Sequence, residues 1–174
     1  MKKTVWIPVL ALVLAALTLV GLRGILGGVA RDNAQRDHLE LLKTMLPGST
    51  EFTLEQENWE DPNIVSVHKG QTGFVVETAL QGYADTIRMY VAVSSEGEVL
   101  GLTVLDSHET VGLGNRILTD HTFLAQYLLT TGDAQVDAIT GATVTSKAIT
   151  RSVNSAVAYV TGADIDSGAT SWGG

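Results

Sequence analysis

An uninterrupted run without a charge extends from Val5 to Leu22 and is preceded by Lys2 and Lys3. At ~1.5 Å per helical residue, a run of this length spans the hydrocarbon core of a bilayer. Trp6 stands at one end, where aromatic side chains commonly mark the membrane interface. A cleaved signal peptide is the alternative, but the run is longer than a usual signal core and lacks a clear cleavage site. The pattern predicts an uncleaved transmembrane anchor, residues 1–25, with the folded domain outside the cytoplasm.

A second apolar pattern, with helical spacing, follows the anchor. Leu39, Leu42 and Leu46 fall on one side of a helix whose other side is charged, and Pro47 ends it. These positions predict an amphipathic juxtamembrane helix within residues 26–48. It serves either as a spacer or as a face that docks on a partner.

Residues of high β propensity predict three neighbouring strands: Phe74–Leu80, Ile87–Val93 and Val99–Leu105. The polar segment 94–98 has the composition of a hairpin turn between the last two. The three strands therefore form an antiparallel sheet.

Alternation is clearest in the second of these strands, where four residues are expected to face one way: Ile87, Met89, Val91 and Val93. Ile64–Val67 is predicted as a further short strand. The acidic segment Glu51–Asn63 is expected to be weakly structured and solvated.

Two helices are predicted after the strands. The first, Asp120 to Thr130, has Asp120 as its N-cap and a buried side made of Phe123, Leu124, Tyr127 and Leu128. The second begins near Thr143, because apolar residues recur there at three- and four-residue spacing: Val144, Ala148, Ile149, Val153, Ala156, Val157 and Val160. Strands in series with flanking helices predict an α+β domain over residues 49–162, followed by a flexible tail, 163–174.

Composition and charge exclude several classes of protein. The net charge of −8 argues against nucleic-acid binding, which needs a basic surface. The chain has no cysteine, which excludes thiol nucleophiles, iron–sulfur clusters and cysteine-ligated zinc. The histidines are scattered and the zinc-protease, dinucleotide-binding and phosphate-loop fingerprints are incomplete, so no metal site or catalytic side chain is predicted.

Small and hydroxyl-bearing residues crowd the start of the last predicted helix, between Asp137 and Ser146: Thr140, Gly141, Ala142, Thr143 and Thr145. A helix N-terminus offers unpaired N–H groups and the positive end of the helix dipole, which suit a phosphate group. Lys147 adds a positive charge in a turn where the dipole disfavours one. An ordinary N-cap is the alternative, because serine and threonine are preferred at that position.

The segment Asp137-x-x-Thr140-Gly141-Ala142-Thr143 resembles the flavinylation motif of the FMN-binding domain family. In that family a flavin transferase esterifies the phosphate of FMN to the last threonine or serine of the motif. The resemblance implies that Thr143 is the attachment residue of a covalent FMN. It also places the rest of the motif, with Thr145, Ser146 and Lys147, around the phosphate.

A second segment, His108 to Gly114, resembles the other signature of the same family, which lies at the edge of the flavin ring. Val111 stands where the family usually has proline. The composition suits a flat aromatic ligand, because glycines bring backbone N–H groups close and leucine offers an apolar face. The expected ring contacts are Glu109, Thr110, Gly112, Leu113 and Gly114.

The tail contains a second match to the flavinylation spacing, from Asp164 to Thr170. No helix follows Thr170 to hold a phosphate, and chain ends of this composition are usually mobile. Thr143 is therefore preferred as the attachment residue, and the tail is expected to be flexible or to bind a partner.

From about Gly73 to Val160, with the anchor before it, the pattern is similar to the G subunit of Rnf-type complexes, with the C subunit of sodium-translocating NADH:quinone reductases as the nearest relative. The resemblance implies an electron-transfer subunit with covalent FMN, relaying electrons between ferredoxin and NAD beside other membrane subunits. A stand-alone extracytoplasmic flavoprotein reductase is one alternative. A structural subunit, whose Thr-Gly-Ala-Thr is only a helix cap, is another.

Overall fold

The computed structural model describes residues 12, 14–15, 17–18, 33–55, 59–106, 118–132, 136 and 141–163. The chain divides into two compact units, Met1–Leu41 and Leu42–Gly174. A helix, α1, covers residues 33–45. The elements of the second unit are β1 (Thr53–Glu55), β2 (Ile64–Lys69), β3 (Gly73–Gln81), β4 (Thr86–Ser94), β5 (Val99–Asp106), α2 (His121–Ala125) and α3 (Thr143–Thr161).

Within the described residues, five strands form one antiparallel sheet in the order β1-β2-β3-β4-β5. Each strand pairs with its neighbour in the chain, so the sheet is a meander of successive hairpins. The predicted α+β class is confirmed, and so are the three predicted neighbouring strands, which are β3, β4 and β5. The sheet extends further than expected, because β2 continues to Lys69 and β1 pairs along it.

The main core lies between the sheet and α3. Ile87, Met89, Val91 and Val93 are all buried on the α3 side of β4, as their alternation predicts. Helix α3 packs against β3 and β4 through a wide apolar side that includes Ile149, Val153, Ala156 and Val157. Burial of these aliphatic side chains holds the helix on the sheet.

The direction of α3 follows from the contacts at its last turn. A Cβ atom at Gly97, in the β4–β5 turn, would lie 2.4 Å from Thr161 Cγ2, and Tyr159 packs edge-on against Phe74 with ring centroids 6.0 Å apart. Helix α3 therefore ends beside the β4–β5 turn. Its length of ~28 Å is close to that of nine-residue β4, so α3 begins at the opposite end of the sheet, where β5 also ends.

The other face of the sheet is covered by residues 42–46, which are the part of α1 that belongs to the second unit and the residue that follows it. A Cβ atom at Gly70 would lie 2.8 Å from Leu46 Cδ2, and one at Gly101 would lie 3.6 Å from the Met45 carbonyl oxygen. Leu42 and Leu46, which the sequence places on the apolar side of the predicted helix, are buried. The sheet is thus covered by helical residues on both faces.

Three predictions of local structure are wrong. Glu51–Asn63, expected to be weakly structured, contains β1. Helix α2 ends at Ala125, and Leu128, expected to be buried, is 42% exposed. Val144 is 48% exposed because it lies on the side of α3 that points away from the sheet.

The early end of α2 has a backbone cause. Val99 N–H donates to the Thr130 carbonyl at 3.0 Å, and Leu129 N–H donates to the Val99 carbonyl at 2.8 Å. To make both bonds, Leu129 adopts a left-handed φ of 61°, which no helix continues through. Hydrogen bonds to β5, and not the apolar pattern of residues 120–130, therefore decide where α2 ends.

Most of the predicted anchor lies outside the described residues, as do the loop 108–114, Asp137, Thr140 and the tail after residue 163. In the part of the chain that the structure describes, no helix is long and apolar enough to cross a membrane. Leu12, Leu14 and Leu17 are helical and exposed.

Candidate functional site

The start of α3 has an unusual arrangement of cap and turn. Gly141 precedes it with φ 87°, a conformation that residues with side chains rarely adopt. The N-cap is Ala142, and among the described residues no side chain caps the helix. Thr143 is the first helical residue and is exposed. The ordinary role of a threonine or serine as N-cap is therefore not the one Thr143 has in this structure.

A helix start without a capping side chain suits an anion. The first N–H groups of a helix have no partner within the helix, and the dipole places partial positive charge there. The left-handed turn at Gly141 leads the chain into this end of α3. The described residues of the motif therefore fit a phosphate group at the start of α3.

The hydroxyl groups expected around the phosphate divide into two sets. Thr143 is exposed, whereas Thr145 and Ser146 are buried. The Ser146 hydroxyl donates to the Ala142 carbonyl oxygen at 3.0 Å. In the described part of the motif, only the Thr143 hydroxyl is exposed for a covalent bond.

Lys147 is exposed and lies four residues after Thr143. Residues at this spacing are neighbours on one face of a helix, and long side chains lean toward the helix N-terminus. The ammonium group can therefore reach a charge attached at Thr143. Helix α3 carries Lys147, Arg151 and no acidic residue, in a chain whose net charge is −8.

A line of buried hydroxyl groups continues from this site along α3. Tyr127 Oη lies 2.7 Å from Thr150 Oγ1, and Thr150 Oγ1 donates to the Ser146 carbonyl oxygen at 3.1 Å. Burial raises the pKa of Tyr127 to about 12. Sequence reasoning placed Tyr127 only in the core and did not single out Thr150. The one available signal was that Thr150 stands seven residues after Thr143, on the same face of the helix.

The second predicted signature begins just beyond the described end of β5. Asp106, the last residue of β5, lies at the end of the sheet where α3 starts, and the loop 108–114 follows it in sequence, outside the described residues. The turn between β3 and β4 lies at the same end, closed by a 2.8 Å hydrogen bond from Gly82 N–H to the Asp85 carbonyl. Tyr83 in that turn is 72% exposed. The described end of β5, the β3–β4 turn and the start of α3 therefore share one end of the sheet.

A separate polar cluster lies on the opposite face of the sheet. The Glu77 carboxylate is buried, forms an ion pair with Arg88 and accepts a hydrogen bond from Ser66 Oγ at 2.8 Å. Burial, followed by the charge of Glu77, raises the pKa of neighbouring Tyr90 to about 12. These contacts satisfy the buried carboxylate, so the cluster is structural. Among the described residues, no group of histidine, aspartate and glutamate side chains has the arrangement of a metal site.

Comparison with known proteins gives one family match and several relatives. The model of the FMN-binding domain matches residues 82–158, from the β3–β4 turn into the last turns of α3. The G subunit of the ion-translocating oxidoreductase complex of Methanosarcina acetivorans is 34% identical, over 70% of this chain and 73% of that protein. The G subunit of the proton-translocating ferredoxin:NAD(+) oxidoreductase complex of Clostridium ljungdahlii is 35% identical, over 51% of this chain and 53% of that protein.

A third relative is the G subunit of the Na(+)-translocating ferredoxin:NAD(+) oxidoreductase complex of Acetobacterium woodii. It is 30% identical, over 49% of this chain and 47% of that protein. The chain therefore spans about half the length of the Clostridium and Acetobacterium relatives.

Proposed function

The chain belongs to the family of G subunits of ion-translocating oxidoreductase complexes, and from that membership we propose that it is an electron-transfer subunit with FMN bound covalently at Thr143. The observation that carries the proposal is the start of α3. There an exposed threonine hydroxyl stands at a helix N-terminus that, among the described residues, no side chain caps. The FMN-binding domain match covers this segment.

The proposed bond joins Thr143 Oγ1 to the phosphorus of FMN, with net loss of one water, in a reaction catalysed by a flavin transferase. Each neighbouring residue has a role toward the phosphate. The first N–H groups of α3 face its oxygens, Gly141 lets the backbone turn close to it, and Lys147 balances its charge. Ala142, Thr145 and Ser146 hold the first turn against the core, and Asp137 and Thr140 complete the recognition motif.

The flavin ring is proposed to lie at the end of the sheet where α3 begins and β5 ends. Glu109 and Thr110 orient the polar edge of the ring, Gly112 and Gly114 bring backbone N–H groups close to it, and Leu113 packs on its face. Tethered FMN supplies one- or two-electron transfer, and the protein supplies orientation and electrostatics. No side chain of the domain is proposed as a catalytic acid or base.

Within a complex, the domain is proposed to pass electrons between ferredoxin and NAD, as the names of the Clostridium and Acetobacterium relatives indicate for their own complexes. Its partners are the other membrane subunits. Residues 1–25 anchor it as a single membrane span, with the FMN domain on the extracytoplasmic side. A covalent bond at Thr143 keeps the cofactor from being lost by dilution there.

The test is intact mass with peptide mapping of the full chain, produced together with a flavin transferase. We expect a mass gain of FMN less one water in the wild type and in Thr170→Val. The gain should be absent in Thr143→Val. Thr170→Val is the matched control, because it alters the second match to the motif without touching α3.

Two outcomes contradict the proposal. Loss of the added mass only in Thr170→Val would move the attachment to the tail. No added mass in any form, with an active transferase confirmed on another substrate, would leave Thr143 as an ordinary helix residue.

A further inference from the structure

Tyr127 is held by its backbone to the edge of the sheet. Its carbonyl oxygen accepts the Thr130 hydroxyl at 2.7 Å, and the Thr130 carbonyl in turn accepts the Val99 N–H at 3.0 Å. Leu129, between them, adopts a left-handed φ of 61°. Tyr127 therefore stands on a short segment that β5 fixes in place.

The hydroxyl of the same tyrosine reaches α3. Thr150 has one hydroxyl proton, and it donates that proton to the Ser146 carbonyl oxygen at 3.1 Å. The 2.7 Å contact must then have Tyr127 as donor and Thr150 as acceptor. Both side chains are buried, so neither hydroxyl exchanges this partner for water at low cost.

Thr150 and Thr143 lie on the same face of α3, two turns apart. Seven residues correspond to ~10.5 Å along the helix. The shared face is covered by Tyr127 at Thr150 and is exposed at Thr143. A rotation of α3 about its axis would break the contact at Thr150 and turn Thr143 by the same angle.

We propose that Tyr127 is a positioning residue for flavin attachment, which acts through its hydrogen bond to Thr150 and sets the direction in which Thr143 faces the transferase. The inference rests on the proposed function of Thr143. Tyr127 does not touch the phosphate. It fixes the rotation and axial position of the helix that carries the acceptor.

The test uses the purified full chain, a purified flavin transferase and FAD as FMN donor. In the transfer, the Thr143 Oγ1–phosphorus bond forms, the phosphoanhydride bond of FAD breaks, and AMP leaves while the threonine proton passes to solvent. Intact mass against time gives kcat and KM for the chain as substrate. Amide hydrogen exchange of residues 143–146 reports the order of the first turn without any chemistry.

We expect Tyr127→Phe and Thr150→Val to lower kcat about tenfold to a hundredfold with little change in KM, because the acceptor is misdirected rather than unrecognised. Exchange at residues 143–146 should become faster. Thr150→Ser, which keeps the hydroxyl, should retain wild-type values. Tyr159→Phe is the matched control, because it also removes a tyrosine hydroxyl bonded to its surroundings, at the opposite end of α3.

Wild-type kcat and wild-type exchange in both Tyr127→Phe and Thr150→Val would overturn the inference, while FMN on Thr143 in the wild type would leave the proposed function intact. Equal losses in Tyr159→Phe and Tyr127→Phe would also overturn it, because the effect would then be general destabilisation. If Tyr127→Phe does not fold, as judged by thermal melting, the inference is tested by comparing kcat and exchange between Thr150→Val and Thr150→Ser. An unlabelled wild type refutes the proposed function itself.

Discussion

The two ends of α3 are finished in opposite ways. At the last turn, Gly162 has a left-handed φ of 66° and donates its N–H to the Ala158 carbonyl at 2.8 Å. The Thr161 hydroxyl donates to the Val157 carbonyl at 2.8 Å. At the first turn, Ala142 provides no side-chain cap. The Val157 and Ala158 carbonyls thus accept local hydrogen bonds at the last turn, whereas the N-cap residue at the first turn makes no side-chain hydrogen bond.

The two ends of α3 also differ in how their side chains pack. Tyr159, near the last turn, meets Trp59 and Phe74 edge-on, with ring centroids 5.4 Å and 6.0 Å away, and donates its hydroxyl to Glu55. The first turn presents exposed Thr143, Val144 and Lys147 instead. Leaving out a cap costs a helix about 1 kcal/mol. Such local losses are typical of functional sites, so the comparison separates the structural end of the helix from the end available for chemistry.

The largest expected effect on stability is at the last turn of α3, which we call its closed end. Tyr159→Ala removes two aromatic contacts and the hydrogen bond to Glu55, and we expect it to lower the free energy of unfolding by about 2–4 kcal/mol. Urea denaturation measures this loss. FMN attachment per folded molecule should stay at the wild-type level. A selective loss of attachment would contradict the separation of the two ends.

An intermediate effect is expected from the tyrosine that clamps the middle of α3. The folded state holds the Tyr127 proton more tightly than the unfolded chain, since the pKa is raised from 10.0 to about 12. Its contribution to stability is therefore complete below about pH 10 and is lost as pH rises toward 12, on the order of 2 kcal/mol. The free energy of unfolding, measured from pH 8 to 12, checks this.

Tyr90 titrates over the same range, because its pKa is also raised to about 12. Tyr90→Phe is therefore the control. In each single variant, the free energy of unfolding should fall less steeply as pH rises from 8 to 12. In the double variant, this dependence should nearly disappear. If the free energy of unfolding of Tyr127→Phe depended on pH as it does in the wild type, the ionisation of Tyr127 would not contribute to stability.

The smallest effect on stability is expected at the first turn of α3, which we call its open end. This prediction tests the difference between the two ends most directly. Ala142→Ser supplies the missing N-cap, and we expect the free energy of unfolding to rise by about 0.5–1 kcal/mol. The new hydroxyl competes for the N–H groups proposed to face the phosphate, so FMN attachment should become slower. Ala163→Ser, just beyond the closed end, should change neither quantity. A stabilised variant with unchanged attachment would show that the open cap is not needed.

The elements that sequence predicts well are those with a strong local pattern. Alternation in β4 identifies its buried side, and three- and four-residue spacing identifies the side of α3 that packs on the sheet. Strand β1 has only three residues, too few to show alternation, and its pairing with β2 is set by the sheet. The end of α2 depends on Val99, more than twenty residues earlier in the chain, which local propensity does not record.

At the candidate site, the sequence predicts which residue types are present but not whether each side chain is exposed or buried. The hydroxyl-rich motif predicts Thr143 as the attachment residue, but whether a hydroxyl is exposed or buried depends on the rotation of α3 over the sheet. That rotation leaves Thr143 exposed and turns Ser146 inward. The contact between Tyr127 and Thr150 joins residues 23 positions apart and has no local signal. The roles of the loop 108–114 and of Asp137 stay predictions.

The meander order of the sheet has a consequence for when the acceptor is formed. Every strand pairs with the one synthesised just before it, so the sheet assembles through short-range contacts, and low contact order favours fast folding. Among the described elements, helix α3 follows all five strands in the chain, so we expect it to dock on strands that are already paired. If the proposed attachment at Thr143 requires the first turn of α3 in place, the transferase would modify only folded chains, and the bound flavin would mark a chain as folded.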